Sequence, residues 1–215
     1  MYIHEIVKQV RDLHAPVIHH LDQFSSMSDR LTAFAHCLEH GYQQLLPAAA
    51  SEISNYHPDY LGKSPEEIFA AKLPKAELFR CISCEYGFSQ SIPDISFKEE
   101  DFAFERALDF LLEGKLAELE MMLATYPFLT SQSSLYGHQA KLLHYCGSNG
   151  VEIWRQVVPS NLMEGIKTLL KYGADPQAKM EVYGGEFDML ALYQTSAHPY
   201  EAGLKIDEEL QQLLI

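Results

Sequence analysis

A chain of 215 residues with 47% hydrophobic content can bury a substantial core, as one long domain or two short ones, without help from cross-links. Its 16 Lys and Arg stand against 30 Asp and Glu. The resulting formal charge of −14, spread over both halves, argues against nucleic acid or an anionic membrane surface as the ordinary partner and favours a basic one. No apolar run approaches the roughly eighteen residues of a membrane span and the N-terminus has no signal-peptide core. Four cysteines without a framework pattern fit a reducing compartment, so the expected location is the cytoplasm.

In chain order, Ile3, Ile6, Val7, Val10 and Leu13 form a helical stripe over residues 2–14, and Pro16 forces a boundary. A second helical piece is expected over 17–24. After the polar break at 25–29, Ser28 is placed to cap a helix through His40 with Leu31, Phe34, Ala35 and Leu38 on its apolar face, and Gly41 ends or interrupts it. Residues 42–53 read as helical around Leu45 and Leu46. Ser64-Pro65-Glu66-Glu67 is a helix start, with Ser as cap, Pro at the first helical position and acids in the first turn. Pro74 opens the next helix, through about Tyr86.

The polar stretch 89–100 is the expected linker between a helical N-terminal region, 1–88, and residues 101–215. Beyond it, 102–112 and 116–123 form a helix pair around Gly114. Leu142 and Leu143 start a short apolar helix closed by Gly150. Leu162, Ile166, Leu169 and Leu170 then recur at helical spacing as far as Gly173, with Pro176 close behind. Residues 189–194 and 208–214 supply a last pair, and the chain closes on Leu213-Leu214-Ile215. Strand patterns are almost absent.

Lys141-Leu142-Leu143-His144-Tyr145-Cys146 resembles the signature that opens an ankyrin repeat, and Ile166 to Pro176 resembles the close of the same unit. Gly150 and Gly173 stand 23 apart, whereas a regular unit separates them by about twelve, so about eleven residues are inserted. The insertion includes Val151 to Pro159 and the only Trp of the chain. With Tyr183-Gly184-Gly185 and the run Thr195 to Gly203, the stretch from Phe102 onward is similar to bacterial ankyrin-domain proteins that carry this insertion. The resemblance implies an all-α, ankyrin-like helical solenoid of about three repeats, preceded by a helical N-terminal region. It also implies that His144 holds neighbouring loop backbone by hydrogen bonds. It implies no reaction, no cofactor and no single partner.

Insertions in repeat proteins collect in loops and often modify the binding face, and Trp with Arg is the pair most enriched at interface hot spots. Trp154 and Arg155 are therefore candidate partner contacts, together with Tyr136, Tyr183 and Phe187 and an acidic rim of Glu152, Glu181 and Glu186. The competing reading is that Trp154 and Val157 anchor the insertion onto the solenoid, since a long loop needs an apolar plug to stay ordered.

His36-Cys37-Leu38-Glu39-His40 matches the spacing of inverted zinc peptidases, with both histidines on one helix face, but such enzymes need a further carboxylate from a second helix and have a large α/β fold that this chain does not resemble. His14, His19 and His20 add to this histidine-rich half, without Cys or Asp spacing that supports a metal site. Cys81-x-x-Cys84 lies in a helical run with no strand before it, which disfavours a redox motif. Tyr183-Gly184-Gly185 precedes Glu186, which would repel phosphate, and reads as a turn permitting positive backbone angles. These features favour a non-enzymatic protein-binding module without cofactor. An immunity-type inhibitor of a basic toxin is the alternative, and a zinc hydrolase through His36, Glu39 and His40 the remaining one.

Overall fold

Apolar residues at helical spacing become helices along most of the chain. In a computed structural model, which describes residues 1–18 and 23–214, helix accounts for 60% of the described residues. The chain divides into two units, Lys8–Phe102 and Met1–Val7 with Ala103–Ile215. No helix among the described residues is long and apolar enough to cross a membrane.

Unit Lys8–Phe102 holds most of α1 (Glu5–Leu13), then α2 (Ala15–Ile18), α3 (Met27–Gln43), α4 (Pro47–Tyr56), α5 (Pro65–Ala70) and α6 (Lys75–Glu85). The expected face of α3, Leu31, Phe34, Ala35 and Leu38, is buried, as are Leu78, Cys81 and Ile82 of α6, the helix α3 packs on. The α3 cap is Ser26, ahead of the expected Ser28, because the Ser26 hydroxyl is the one that accepts from the Asp29 amide at 3.1 Å. Gly41 does not end the helix. A Cβ there would stand 2.5 Å from Leu13 Cδ1, so the glycine admits a close neighbour. Leu45 makes the stop instead, at φ 56°, with the Leu46 amide donating to Gly41 O at 2.9 Å, and α4 begins only at Pro47. Ser64 is the expected cap of α5, and with Glu67 it closes a capping box. The expected linker 89–100 is largely part of this unit: Ile92 is buried in a 3-10 turn that contacts α3 and α6. The rest of the second helical piece, beyond Ile18, includes residues 19–22, outside those described.

The other unit contains β1 (Tyr2–Ile3), the C-terminal part of α7 (Glu99–Leu112), α8 (Leu116–Thr125), α9 (Leu142–Tyr145), β2 (Val157–Val158) and α10 (Leu162–Lys171). It continues with β3 (Met180–Val182), β4 (Gly185–Phe187), α11 (Met189–Thr195), α12 (Ala197–Glu201) and α13 (Asp207–Leu214). The first residues belong here because β1 pairs antiparallel with β2, Tyr2 opposite Val158 and Ile3 opposite Val157. Leu108, Leu119, Leu142, Ile166, Leu192 and Leu210 bring successive helices into one hydrophobic cluster. Helix α9 is a single turn, shorter than expected. Ser148 leaves the helix at φ 51°, and its hydroxyl donates to Val157 O at 2.7 Å, tying the chain to the insertion. His144 Nδ1 accepts from the Lys141 amide and Nε2 donates to Ala178 O, both at 2.9 Å, while burial lowers its pKa from the ordinary value. That is the backbone-holding role expected for it.

Candidate functional site

The exposed site residues gather on one hairpin. β3 and β4 pair antiparallel with Met180 opposite Phe187, Glu181 opposite Glu186 and Val182 opposite Gly185. The two loop residues, Tyr183 and Gly184, sit at φ 55° and 74°, the pattern of a type I′ turn, whose twist matches that of its strands. Alternation then sends Met180 and Val182 to one face and Glu181 and Glu186 to the other. Met180 is buried in the core, and Gly150 leaves room for Val182, since a Cβ there would meet Val182 Cγ2 at 3.0 Å. Both glutamates are exposed.

Two features of this hairpin run against its own stability. Left-handed backbone costs a non-glycine residue about 1–2 kcal/mol, and Tyr183 bears that cost while 71% exposed. Its ring meets Phe187 edge-on at 6.3 Å and its hydroxyl donates to Asn149 Oδ1 at 2.7 Å, so the side chain is held outward. Like charges directly opposite on a strand pair are destabilising, and among the described residues neither Glu181 nor Glu186 has a basic partner. The nearest cation in sequence, Lys179, pairs with Asp188 at 2.6 Å. Partial burial works to raise the Asp188 pKa, but Lys179 and the Ala191 amide it caps bring the carboxylate below its usual range. A groove of about 580 Å³ runs between the hairpin and Gly137, next to His138, whose carbonyl accepts from the Glu181 amide at 3.3 Å.

The other four expected contacts are inside. Tyr136, Glu152, Trp154 and Arg155 are between 0% and 3% exposed, which corrects their placement on a binding face. Arg155 is enclosed by carboxylates: Glu105 Oε2 at 2.5 Å, Glu152 Oε1 at 3.3 Å and Asp109 Oδ1 at 3.7 Å. Its guanidinium lies 4.2 Å from the Trp154 ring centroid, 5.4 Å from Tyr136 and 5.7 Å from Tyr145. Tyr145 also donates to Glu152 at 3.0 Å. Burial pushes the Glu152 carboxyl up, but Arg155 and then His138 pull it below the ordinary value. Burial and the Glu152 charge push the Tyr145 hydroxyl well up. This network pins the insertion to α7 and α9, so Trp154 and Arg155 anchor the loop. Glu105 and Asp109 were legible as a warning: two acids four apart beside Phe104 and Leu108 on the apolar stripe of a helix need a buried cation.

The zinc-peptidase spacing does not assemble. His36 and His40 are exposed, and Glu39 is taken by Lys75 at 3.1 Å and His36 Nδ1 at 3.3 Å. His14 is buried elsewhere, against Glu52, and His19 and His20 lie outside the described residues. Among the described residues, the group whose ligand atoms all lie within 4.8 Å of one another is His57, Asp59 and Glu77, which sequence reasoning missed. Its chemistry does not suit a metal. His57 Nδ1 accepts from the Asp59 amide at 3.3 Å, so the neutral ring carries its proton on Nε2, where it faces Glu77 at 3.0 Å. A metal-ligating imidazole needs the opposite tautomer, with its far nitrogen donating. Arg80 supplies the positive charge, at 2.9 Å from Asp59 and 3.1 Å from Glu77.

No protein family, no curated protein and no solved structure matches this chain.

Proposed function

We propose that this protein is a non-enzymatic protein-binding module that presents the acidic face of the β3–β4 hairpin to a basic partner, on an ankyrin-like helical solenoid of about three repeats in residues 101–215. The observation that carries the reading is the directly opposed, unneutralised pair Glu181 and Glu186 beside the outward Tyr183. Folding alone does not favour such an arrangement. A cation from a partner removes the repulsion, and the Tyr183 ring offers it a face. The −14 charge of the chain steers basic proteins toward the surface and repels nucleic acid. The backbone-holding His144 and the successive helix pairs support the solenoid.

The test compares tagged wild type with Glu181→Lys/Glu186→Lys, each used to capture proteins from the source cells at about 50 and about 200 mM salt, where screening should separate charge contacts from apolar ones. The wild type should retain a basic protein that the reversed hairpin does not, and hold it less well at the higher salt. Equal capture by both chains defeats the reading.

A further inference from the structure

The chain holds three asparagines, Asn55, Asn149 and Asn161, followed by Tyr56, Gly150 and Leu162. An asparagine carboxamide is open to attack by the backbone nitrogen of the next residue, and a glycine there has no Cβ to hinder the approach. Two of the three nitrogens are engaged. Tyr56 is the last residue of α4, where its amide serves the helix, and the Leu162 amide donates to Pro159 O at 3.2 Å. Among the described residues the Gly150 amide has no backbone acceptor, and left-handed backbone at Ser148 and Gly150, φ 51° and 68°, takes the segment out of regular structure.

The half-buried Asn149 carboxamide is instead tied at both ends. The Tyr183 hydroxyl, on the hairpin, donates to Oδ1 at 2.7 Å. Nδ2 donates to Thr195 Oγ1 at 3.0 Å, and the Thr195 proton goes in turn to Ala191 O at 2.8 Å, on α11. Joining Gly150 N to Asn149 Cγ brings two non-bonded atoms to covalent distance. A carboxamide held from both sides makes that movement only by loosening a tie, and Tyr183, at 71% exposed, is the one placed to let go.

We propose that Asn149 is a deamidation site held shut by Tyr183 and Thr195. Solvent base takes the Gly150 amide proton and the nitrogen attacks Asn149 Cγ. The new N–C bond closes a succinimide ring, the Cγ–Nδ2 bond breaks, and Nδ2 leaves as ammonia with a proton from water. A second water opens the ring and returns the proton to Gly150 N. Entry at Cγ gives an aspartate, and entry at the main-chain carbonyl carbon gives an isoaspartate, so asparagine and water become acid and ammonia. The aspartate sets a second acceptor against Thr195 Oγ1, whose proton is committed to Ala191. The isoaspartate adds a methylene to the main chain beside Gly150, where a Cβ would already meet Val182 Cγ2 at 3.0 Å. Both products therefore disturb the seat of the β3–β4 hairpin.

The test ages the full chain in mildly alkaline buffer, labels isoaspartate with isoaspartyl methyltransferase and maps it on the tryptic peptide Leu142–Arg155. Isoaspartate should build up at Asn149 ahead of Asn55 and Asn161, and more slowly than in the same peptide free in solution. Tyr183→Phe keeps the ring and should speed conversion at Asn149 by about two- to tenfold, the range that one net hydrogen bond spans. Thr195→Val should act alike from the other end, and carries the test if Tyr183→Phe fails to fold. Variant rates equal to or below the wild-type rate overturn the proposal, as does conversion at Asn55 or Asn161 that keeps pace with Asn149. An Asn149 left intact in wild type and variants while the free peptide is consumed overturns it too. So does an acceleration matched by the same factor in hydrogen exchange of α10, because the whole unit has then opened.

Discussion

Replacing Arg155 with Met keeps most of the side-chain volume and removes the guanidinium that Glu105, Asp109 and Glu152 surround in their buried cluster. Breaking a buried pair from one side costs about 3–5 kcal/mol, because the remaining charge is stranded without water. Loss of the cation over Trp154, Tyr136 and Tyr145 adds to that. For a unit of this size about 4 °C corresponds to each kcal/mol, so Arg155→Met should lower the melting temperature by about 10–20 °C. Helix ellipticity and Trp154 emission, followed together on heating, would measure it. The pH dependence gives a sharper sign. In the wild type Arg155 and His138 hold Glu152 below its ordinary pKa against the pull of burial, so its contribution is present above the usual carboxylate range and is lost as acid protonates it. Without Arg155, burial dominates and the carboxyl titrates above its ordinary value, so the variant should gain stability as pH falls from 7 to 5. Adding Glu105→Gln and Glu152→Gln to Arg155→Met should recover at least half of the loss. A single variant that loses less than about 1 kcal/mol, or that weakens between pH 7 and 5, would refute the view that stranded charge sets the cost.

Three further outcomes follow from named contacts. Trp154, the only tryptophan and 3% exposed, should emit at short wavelength and resist acrylamide quenching until its unit unfolds; quenching of the native protein at the rate of free indole would place it in solvent. Leu45 is 62% exposed at φ 56°, so Leu45→Gly should raise stability by about 0.5–1 kcal/mol in urea titrations, and a destabilised variant would show that the leucine makes a contact worth more than its strained backbone. His14 sits above its ordinary pKa of 6.5 at about 9. Its ion pair therefore stabilises fully below 6.5 and fades as pH rises through 9, by about 3 kcal/mol at most, and Glu52→Gln should abolish that slope in urea melts between pH 6.5 and 9.5.

Most helices were legible because their determinants are local. Leu31, Phe34, Ala35 and Leu38 repeat at helical spacing, and Ser64 with Glu67 carries its own capping box. Where the prediction slipped, a non-local neighbour decided. Gly41 reads as a helix stop until Leu13 is packed against it, and Ile92 reads as linker until α3 and α6 cover it. The β1–β2 pair joins residues more than 150 apart through two-residue strands, too short for any periodicity to show. The partners of Arg155 on α7 lie about fifty residues away, and nothing in the insertion itself names them.

The site divides along the same physical line. Trp and Arg are enriched wherever groups are desolvated with their polar atoms satisfied, and an interface core and a protein core meet that condition equally. Their composition therefore could not place Trp154 and Arg155, and it is the contact with Glu105 and Asp109 on α7 that puts Arg155 in the interior. The hairpin is different, because the Tyr183-Gly184-Gly185 turn fixes the strand register, and the register alone sets Glu181 against Glu186 on the solvent face. A buried ion network explains itself through the chain it holds. An exposed pair of like charges, Glu181 and Glu186, holds nothing in the fold, and for that reason the functional reading rests on them and on the exposed Tyr183 beside them and not on Trp154 and Arg155.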